Sequence, residues 1–290
     1  MNLSLSRAAL CIFSLILASC SDLSMLRYDN PEIREYQKQS LAEFPEKPIQ
    51  GQSINDFFED RVVQIIPGED QEISGGRGAA LTRDGYYLTA WHVVADGDFF
   101  IPELVQLRPI PKEITVWGPG ESPFRTDYHP GRVVWHDEEA DLAVVKFDFE
   151  SKGILEPVVG ELPEGEALFC GHSKGAGKIA SGGSLSDMVG NGSFETAGRI
   201  VKVRPQSKER PFITYDTSLV GRGGMSGAPA VTQNGRLAGI VSKGGRNYRI
   251  HFLKDLPKSL VSVDTIPRAT LFMIDKNRLE EIIAADRTSQ

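Results

Sequence analysis

The pattern of apolar and polar positions changes character twice along this chain. Near the start, Ala8 to Leu17 form an apolar run broken only by Ser14, with Arg7 as the one charge before it. The run is too short to cross a bilayer comfortably, and its placement predicts a targeting segment. From Ser21 to Ser53 large hydrophobic residues thin out and Pro31, Pro45 and Pro48 intervene, a composition that predicts a polar tether. Ile54 to Glu59 can make one or two helical turns, and beyond them the chain becomes a series of short apolar runs separated by turn residues.

Those runs predict strands at 61–66, 78–82, 86–90, 113–117, 132–135, 142–147, 167–170, 199–203, 212–215, 228–231 and 237–242. Almost no helical periodicity lies between them, so the fold class is all-β. Asp84-Gly85 and Asn234-Gly235 each join two runs as tight hairpins, the strongest short-range turn signals in the chain. Two packed antiparallel six-stranded β-barrels fit the number and length of the runs. Near the end, Asp275 is placed to cap a short C-terminal helix through Lys276 to Ala285, with Leu279, Ile282 and Ile283 on one face. Residues 54–290 therefore read as one folded domain.

Composition narrows the function classes. With 40% apolar residues among 290, the chain can bury one large core or two smaller ones. A net charge of -7 without long single-sign runs argues against a nucleic-acid partner, which wants a clustered basic stripe. His129, His136, His172 and His251 show no spacing with carboxylates or cysteines that would build a metal site, so neither metal nor cofactor is expected. Of three cysteines, Cys11 falls within the targeting segment and Cys20 at its end, leaving Cys170 alone in the body. No intrachain disulfide is expected there, and Cys170, preceded by Ala167-Leu168-Phe169, reads as a small buried hydrophobe.

Nucleophilic chemistry is the strongest signal. A serine hydroxyl needs a base to take its proton, an acid to orient that base, and donors for the oxyanion. Three segments offer these parts in the order His, Asp, Ser. Gly76 to Val94 is a glycine-led hairpin ending in Thr89-Ala90-Trp91-His92-Val93-Val94; Glu139-Ala140-Asp141-Leu142-Ala143-Val144 places an acid directly before an apolar strand; Gly221-Arg222-Gly223-Gly224-Met225-Ser226-Gly227-Ala228-Pro229 surrounds a serine with glycine. Asp137 is the rival acid. Ser173, in Gly171-His172-Ser173-Lys174-Gly175, is a rival nucleophile matching the α/β-hydrolase elbow, which needs a strand before it and a helix after. The stretch that follows, Ala176 to Gly192, is too rich in glycine and serine for that helix.

Together the three segments resemble the trypsin-like serine peptidases, in particular the bacterial, disulfide-free kind exemplified by the HtrA proteases. The resemblance covers about Arg61 to Gly245. It implies a trypsin-like fold, His92 as general base, Asp141 as orienting acid, Ser226 as nucleophile, and the amides of Gly224 and Ser226 as the oxyanion hole. Met225 and Ala228 depart from the family pattern, the first at a position that contributes mainly backbone geometry, the second in place of a glycine that seldom carries chemistry. The resemblance also places the primary specificity pocket at Leu219, Val220, Gly221, Ser242, Lys243 and Gly244. No acidic side chain is among them, which points to a small or medium apolar side chain before the scissile bond of a protein or peptide substrate.

Leu17-Ala18-Ser19-Cys20 resembles the lipobox of bacterial lipoprotein signals. It implies removal of residues 1–19, lipid on Cys20, a tether over 20–53, and residence in a bacterial cell envelope. Ser21, rather than Asp, resembles the sorting pattern for the outer membrane, and two or more acyl chains would anchor the protein stably. A second function stays open beside the peptidase: a lipoprotein that keeps the fold as a binding or scaffolding module, since fold alone never proves activity.

Overall fold

The computed structural model describes residues 31–67, 76–95, 114–117, 129–148, 150–171, 195–221, 225–246, 249–252, 261–264 and 267–289. Two hairpins set its plan. At Asp84-Gly85 the glycine takes φ +93°, which an L side chain rarely adopts, and folds β2 (Gly76–Ala80) onto β3 (Tyr86–Ala90) with Ala79 opposite Leu88. β1 (Val62–Pro67) pairs with β2 and with β4 (Ile114–Trp117); β5 (His129–Asp137) links β4 to β6 (Leu142–Phe147), which pairs with β3 and closes the first barrel.

At Asn234-Gly235 the glycine takes φ +70°, and β10 (Pro229–Thr232) returns as β11 (Leu237–Arg246). With β7 (Ala167–Gly171), β8 (Glu195–Arg204), β9 (Phe212–Val220) and β14 (Pro267–Ile274) they close a second barrel in the order β10, β11, β14, β9, β8, β7. A separate hairpin of β12 (Arg249–Phe252) and β13 (Val261–Asp264) completes the strands described. One apolar core fills the first barrel and runs on through Phe169, Val231, Leu237, Ile240 and Phe272 of the second. A smaller cluster around Cys170, Tyr215, Met225 and Leu271 fills the second barrel's interior. The buried thiol of Cys170 sits there, and burial pushes its pKa upward.

Three expectations need correction. The first concerns the tether, because residues 31–42 form helix α1 (Pro31–Ala42), packed on β8 and β9. Proline is tolerated in the first turn of a helix, where its missing N–H costs nothing, so Pro31 starts this helix instead of excluding one. Gln37 and Leu41, four residues apart, turn inward, Phe44 meets Phe169 edge to face at 5.2 Å, and Ile49 is fully buried. Secondly, β14 was not foreseen. Its residues from Leu271 to Ile274 are buried on both faces, Leu271 in the second barrel's interior and Phe272 and Met273 in the larger core, so its apolar run carries no alternation to distinguish it from the helix that follows. Thirdly, β5, β8 and β9 run longer than their apolar cores suggest.

Two further helices match the sequence pattern. Ser53 caps α2 (Ile54–Phe58) by accepting from the Asp56 N–H at 3.2 Å. After the four-residue α3 (Trp91–Val94), the last helix is α4 (Lys276–Thr288), capped by Asp275 through the Asn277 N–H at 2.8 Å, with Leu279, Ile282 and Ile283 buried. It leaves the second barrel and lies on the first, where Asp286 accepts from the Tyr86 hydroxyl at 2.8 Å and pairs with both Arg132 guanidinium NH₂ groups.

Candidate active site

His92 is the second residue of α3, directly after β3. The β3–β6 register sets Ala90 opposite Leu142, which brings α3 against the turn between β5 and β6 that carries Asp141. The two side chains meet with His92 Nδ1 2.6 Å from Asp141 Oδ2. Asp141 also accepts the His92 backbone N–H on Oδ1 at 2.9 Å, and its carbonyl accepts the Trp91 N–H at 3.0 Å. Asp141 holds φ +50°, a conformation in which its short polar side chain is tolerated. Asp137, the rival acid, spends its carboxylate inside the turn on the Ala140 N–H at 2.9 Å.

Asp141 is 7% exposed, and burial pushes its pKa up. Opposing it are the nearby His92 imidazole and the hydrogen bonds from His92, Ser242 and the His92 N–H, and these leave the pKa below the ordinary carboxylate value. The carboxylate therefore stays ionised at neutral pH and favours the Nδ1–H tautomer of His92.

The resemblance assigns Ser242 to the specificity pocket; its hydroxyl, in a residue 5% exposed on β11, donates to Asp141 Oδ2. The second barrel thus reaches across to orient the acid of the first. No local pattern signals this, since the partners lie 101 residues apart.

Ser226 occupies the turn before β10, closed by the Ala228 N–H on the Met225 carbonyl at 2.8 Å. Met225 is buried in the second barrel's core and Ser226 is partly exposed, so the turn pins one side chain inward and presents the next. The Ser226 carbonyl accepts the Arg77 N–H of β2 at 2.8 Å, and the Gly227 N–H donates to Val241 of β11 at 2.8 Å. Gly227 holds φ +78°, and a Cβ there would come 1.9 Å from the Arg77 carbonyl, so only glycine fits. The Thr89 hydroxyl, three residues before His92, donates to that same carbonyl at 2.6 Å. The serine turn is thereby stitched to both barrels, close to the strand that delivers His92. Arg77 and Thr89 were not singled out from sequence; both are buried polar residues whose partners are set by tertiary contact.

The other predicted site residues are more dispersed. Val220 and Gly221 are buried at the end of β9, with the Val220 N–H donating to the Thr196 hydroxyl at 3.1 Å. Lys243 and Gly244 lie on β11, opposite Thr270 and Ala269 of β14. Gly224, Cys20 and Ser173 lie outside the described residues; β7, which ends at Gly171, pairs antiparallel with β8, the next strand described, where a hydrolase elbow would need a helix and a parallel strand. His136 stacks on Trp91. Among the described residues, no three His, Cys, Asp or Glu side chains gather as a metal site would need.

The model of the trypsin-like peptidase domain matches residues 76–240. A probable periplasmic serine endoprotease, DegP-like, from Hahella chejuensis is 28% identical over 200 residues, covering 69% of this chain and 35% of the relative. The chain thus spans about a third of that relative's length. Among solved structures, the active form of the Rv3671c protease from M. tuberculosis has a TM-score of 0.49 at 17% identity, covering 80% of this chain and 82% of that one. The serine endoprotease from Yersinia pestis has a TM-score of 0.47 at 16% identity, covering 81% and 66%. The matched span begins at the first residue of β2, ends inside β11, takes in more than half of the chain and contains His92, Asp141 and Ser226 alike; this chain belongs to the family of trypsin-like peptidase domains.

Proposed function

We propose that the protein is a serine endopeptidase that cleaves peptide bonds through an acyl-enzyme formed on Ser226. His92 Nε2 takes the proton of the Ser226 hydroxyl as its oxygen attacks the scissile carbonyl, then returns that proton to the departing amine. Asp141 fixes the imidazole and stabilises the imidazolium while it lasts. The amides of Gly224 and Ser226 receive the negative charge of the tetrahedral intermediate. Water, activated by the same imidazole, releases the acyl group and regenerates the hydroxyl. The observation that carries this reading is the imidazole–carboxylate pair at 2.6 Å, set beside a serine turn whose carbonyl is bonded into β2 of the same barrel.

The buried, uncharged Val220 and Gly221 at the end of β9 support a small or medium apolar side chain before the scissile bond. Cleavage of a peptide library dominated by lysine or arginine at that position would refute it. The lipobox-like Leu17-Ala18-Ser19-Cys20 supports a lipid on Cys20 that holds the domain to a membrane of the bacterial envelope, with exported proteins as substrates. Detergent-phase partitioning checks this: the wild-type chain enters the detergent phase and Cys20→Ser remains in the aqueous one.

A fluorophosphonate probe tests the central claim. The wild type labels at one site, and Ser226→Ala, with an unchanged melting temperature, does not label. A folded wild type that never labels would leave a binding module on a peptidase fold.

A further inference from the structure

We infer that Trp91 and His136 are positioning residues that hold the His92 imidazole against Asp141, an inference that rests on the peptidase reading. Their rings stack with centroids 4.0 Å apart and planes 16° from parallel. Trp91 is 1% exposed and immediately precedes His92. His136 lies on β5 opposite Ala143 of β6, and β5 runs directly into the turn that carries Asp141. The contacts close a ring. His92 binds the Asp141 carboxylate, the turn leads from Asp141 back to His136, the stack crosses from His136 to Trp91, and one peptide bond returns to His92. The Trp91 N–H on the Asp141 carbonyl braces the ring from within.

The fold needs such a brace at this point. α3 has only four residues, and its cap, Ala90, offers no side-chain hydrogen bond. A helix of one turn has almost no stability of its own, so the direction of the imidazole is set by what grips its neighbours. Asp141 grips His92 at both Nδ1 and the backbone N–H, and the flat ring of Trp91, stacked on His136 of β5, fixes where the one-turn helix lies against that strand. The indole Nε1–H is buried without a hydrogen-bond partner among the described residues. Its ring face, and not its polar edge, is therefore what the site uses, and losing an unpartnered donor should cost nothing.

This separation makes the device testable with four variants of the full chain: Trp91→Phe, Trp91→Leu, His136→Phe and His136→Gln. Each is measured for kcat and KM on a fluorogenic peptide, for the low-field proton resonance of His92 Nδ1–H, and for its melting curve. Both phenylalanine variants keep a stacking face and should retain wild-type kcat and the low-field resonance. The leucine and glutamine variants should lose about 10- to 100-fold in kcat with KM unchanged, as small misplacements of a reacting group do, and the resonance should broaden or vanish. If Trp91→Leu does not fold, the partly exposed His136→Gln decides the matter. Folded His136→Gln with wild-type kcat and resonance overturns the inference, as does equal loss in the phenylalanine variants. The resonance needs no turnover, so it reads the stack even where an unlabelled, inactive wild type has already sunk the peptidase reading.

Discussion

Ser242→Ala separates two roles for one residue. The hydroxyl is buried and donates to Asp141 Oδ2, one of three hydrogen bonds on that carboxylate beside those from His92 Nδ1 and the His92 N–H. A hydrogen bond to a buried charge is worth about 1.5–3 kcal/mol. If all of that appeared in the transition state, kcat/KM would fall about 10- to 150-fold, at 1.36 kcal/mol per decade. It will not all appear there, because the carboxylate is already bound in the resting enzyme, so part of the cost falls on stability. We therefore expect about a tenfold loss in kcat/KM and a drop in Tm of a few degrees, at about 2–4 °C per kcal/mol for a domain of this size. The pH dependence has a definite sign. Asp141 is held below its ordinary pKa, so its stabilisation is present above the unfolded value of about 3.9 and is lost as pH falls through the folded value. Removing the hydroxyl raises the folded pKa, and the stability deficit of the variant should be largest at neutral pH and shrink in acid. Urea melts across that range, with kcat/KM on peptides differing only before the scissile bond, provide the assay. A loss confined to one class of peptide, with neutral-pH stability intact, would mean that Ser242 lines the pocket after all and would refute the orienting role.

Gly76→Ala should abolish fluorophosphonate labelling while the barrels still form, because its Cβ would sit 2.3 Å from Val93 Cγ2 and 2.7 Å from the Ser226 carbonyl oxygen; labelling at the wild-type rate would show that the serine turn is not held there. Tyr86, pushed up to about 12 by burial and by its hydrogen bond to Asp286, stabilises the fold as the phenol, fully so below its ordinary value of 10.0. Tyr86→Phe should therefore be less stable by about 1 kcal/mol at pH 8, and the gap should close as pH rises from about 10 to about 12, where the wild type loses its donor; a gap independent of pH in denaturant melts would remove the Asp286 bond from the account.

What sequence could and could not convey follows from the range of each interaction. The two hairpins were legible because Asp-Gly and Asn-Gly specify a turn within four residues, and α4 was legible because Asp275 and the Leu279, Ile282 and Ile283 stripe are local too. The His, Asp and Ser segments were legible because each carries its own backbone context, a strand ending or a glycine-lined turn. By contrast, α1 offers few large hydrophobic residues and opens with a proline, and its inner face is defined only by the barrel it meets. β14 is buried on both faces from Leu271 to Ile274, which erases the alternation that marks a half-exposed strand. Thr89 and Trp91 stand inside the segment that carries His92, but neither they nor Ser242 and Arg77 have a sequence signature for the contacts they make. Their roles come from contacts made after the chain has closed, and a serine or tryptophan in an apolar run reads as packing until its partner is known.

The chemistry depends, moreover, on how the two barrels sit together. Asp141 belongs to the first barrel and is oriented partly by Ser242 of the second; Ser226 opens a strand of the second barrel and is bonded through its carbonyl to the first. On the proposed mechanism, neither barrel alone can align the imidazole with the hydroxyl. α4 is the covalent continuation of β14 and ends on the first barrel, so it acts as a clasp across this seam. Among the described residues two ion pairs join it to the first barrel, and they are unequal. Arg287 and Asp84 have side chains that are each half exposed, and such pairs contribute little. Asp286 is only 12% exposed and takes both the Tyr86 hydroxyl and the Arg132 guanidinium. Without Asp286 the hydroxyl of the buried Tyr86 loses its acceptor, which costs more than the bond itself provides, whereas Arg132, 45% exposed, can turn to water. The strength of the clasp thus resides in the bond from the Tyr86 hydroxyl to Asp286.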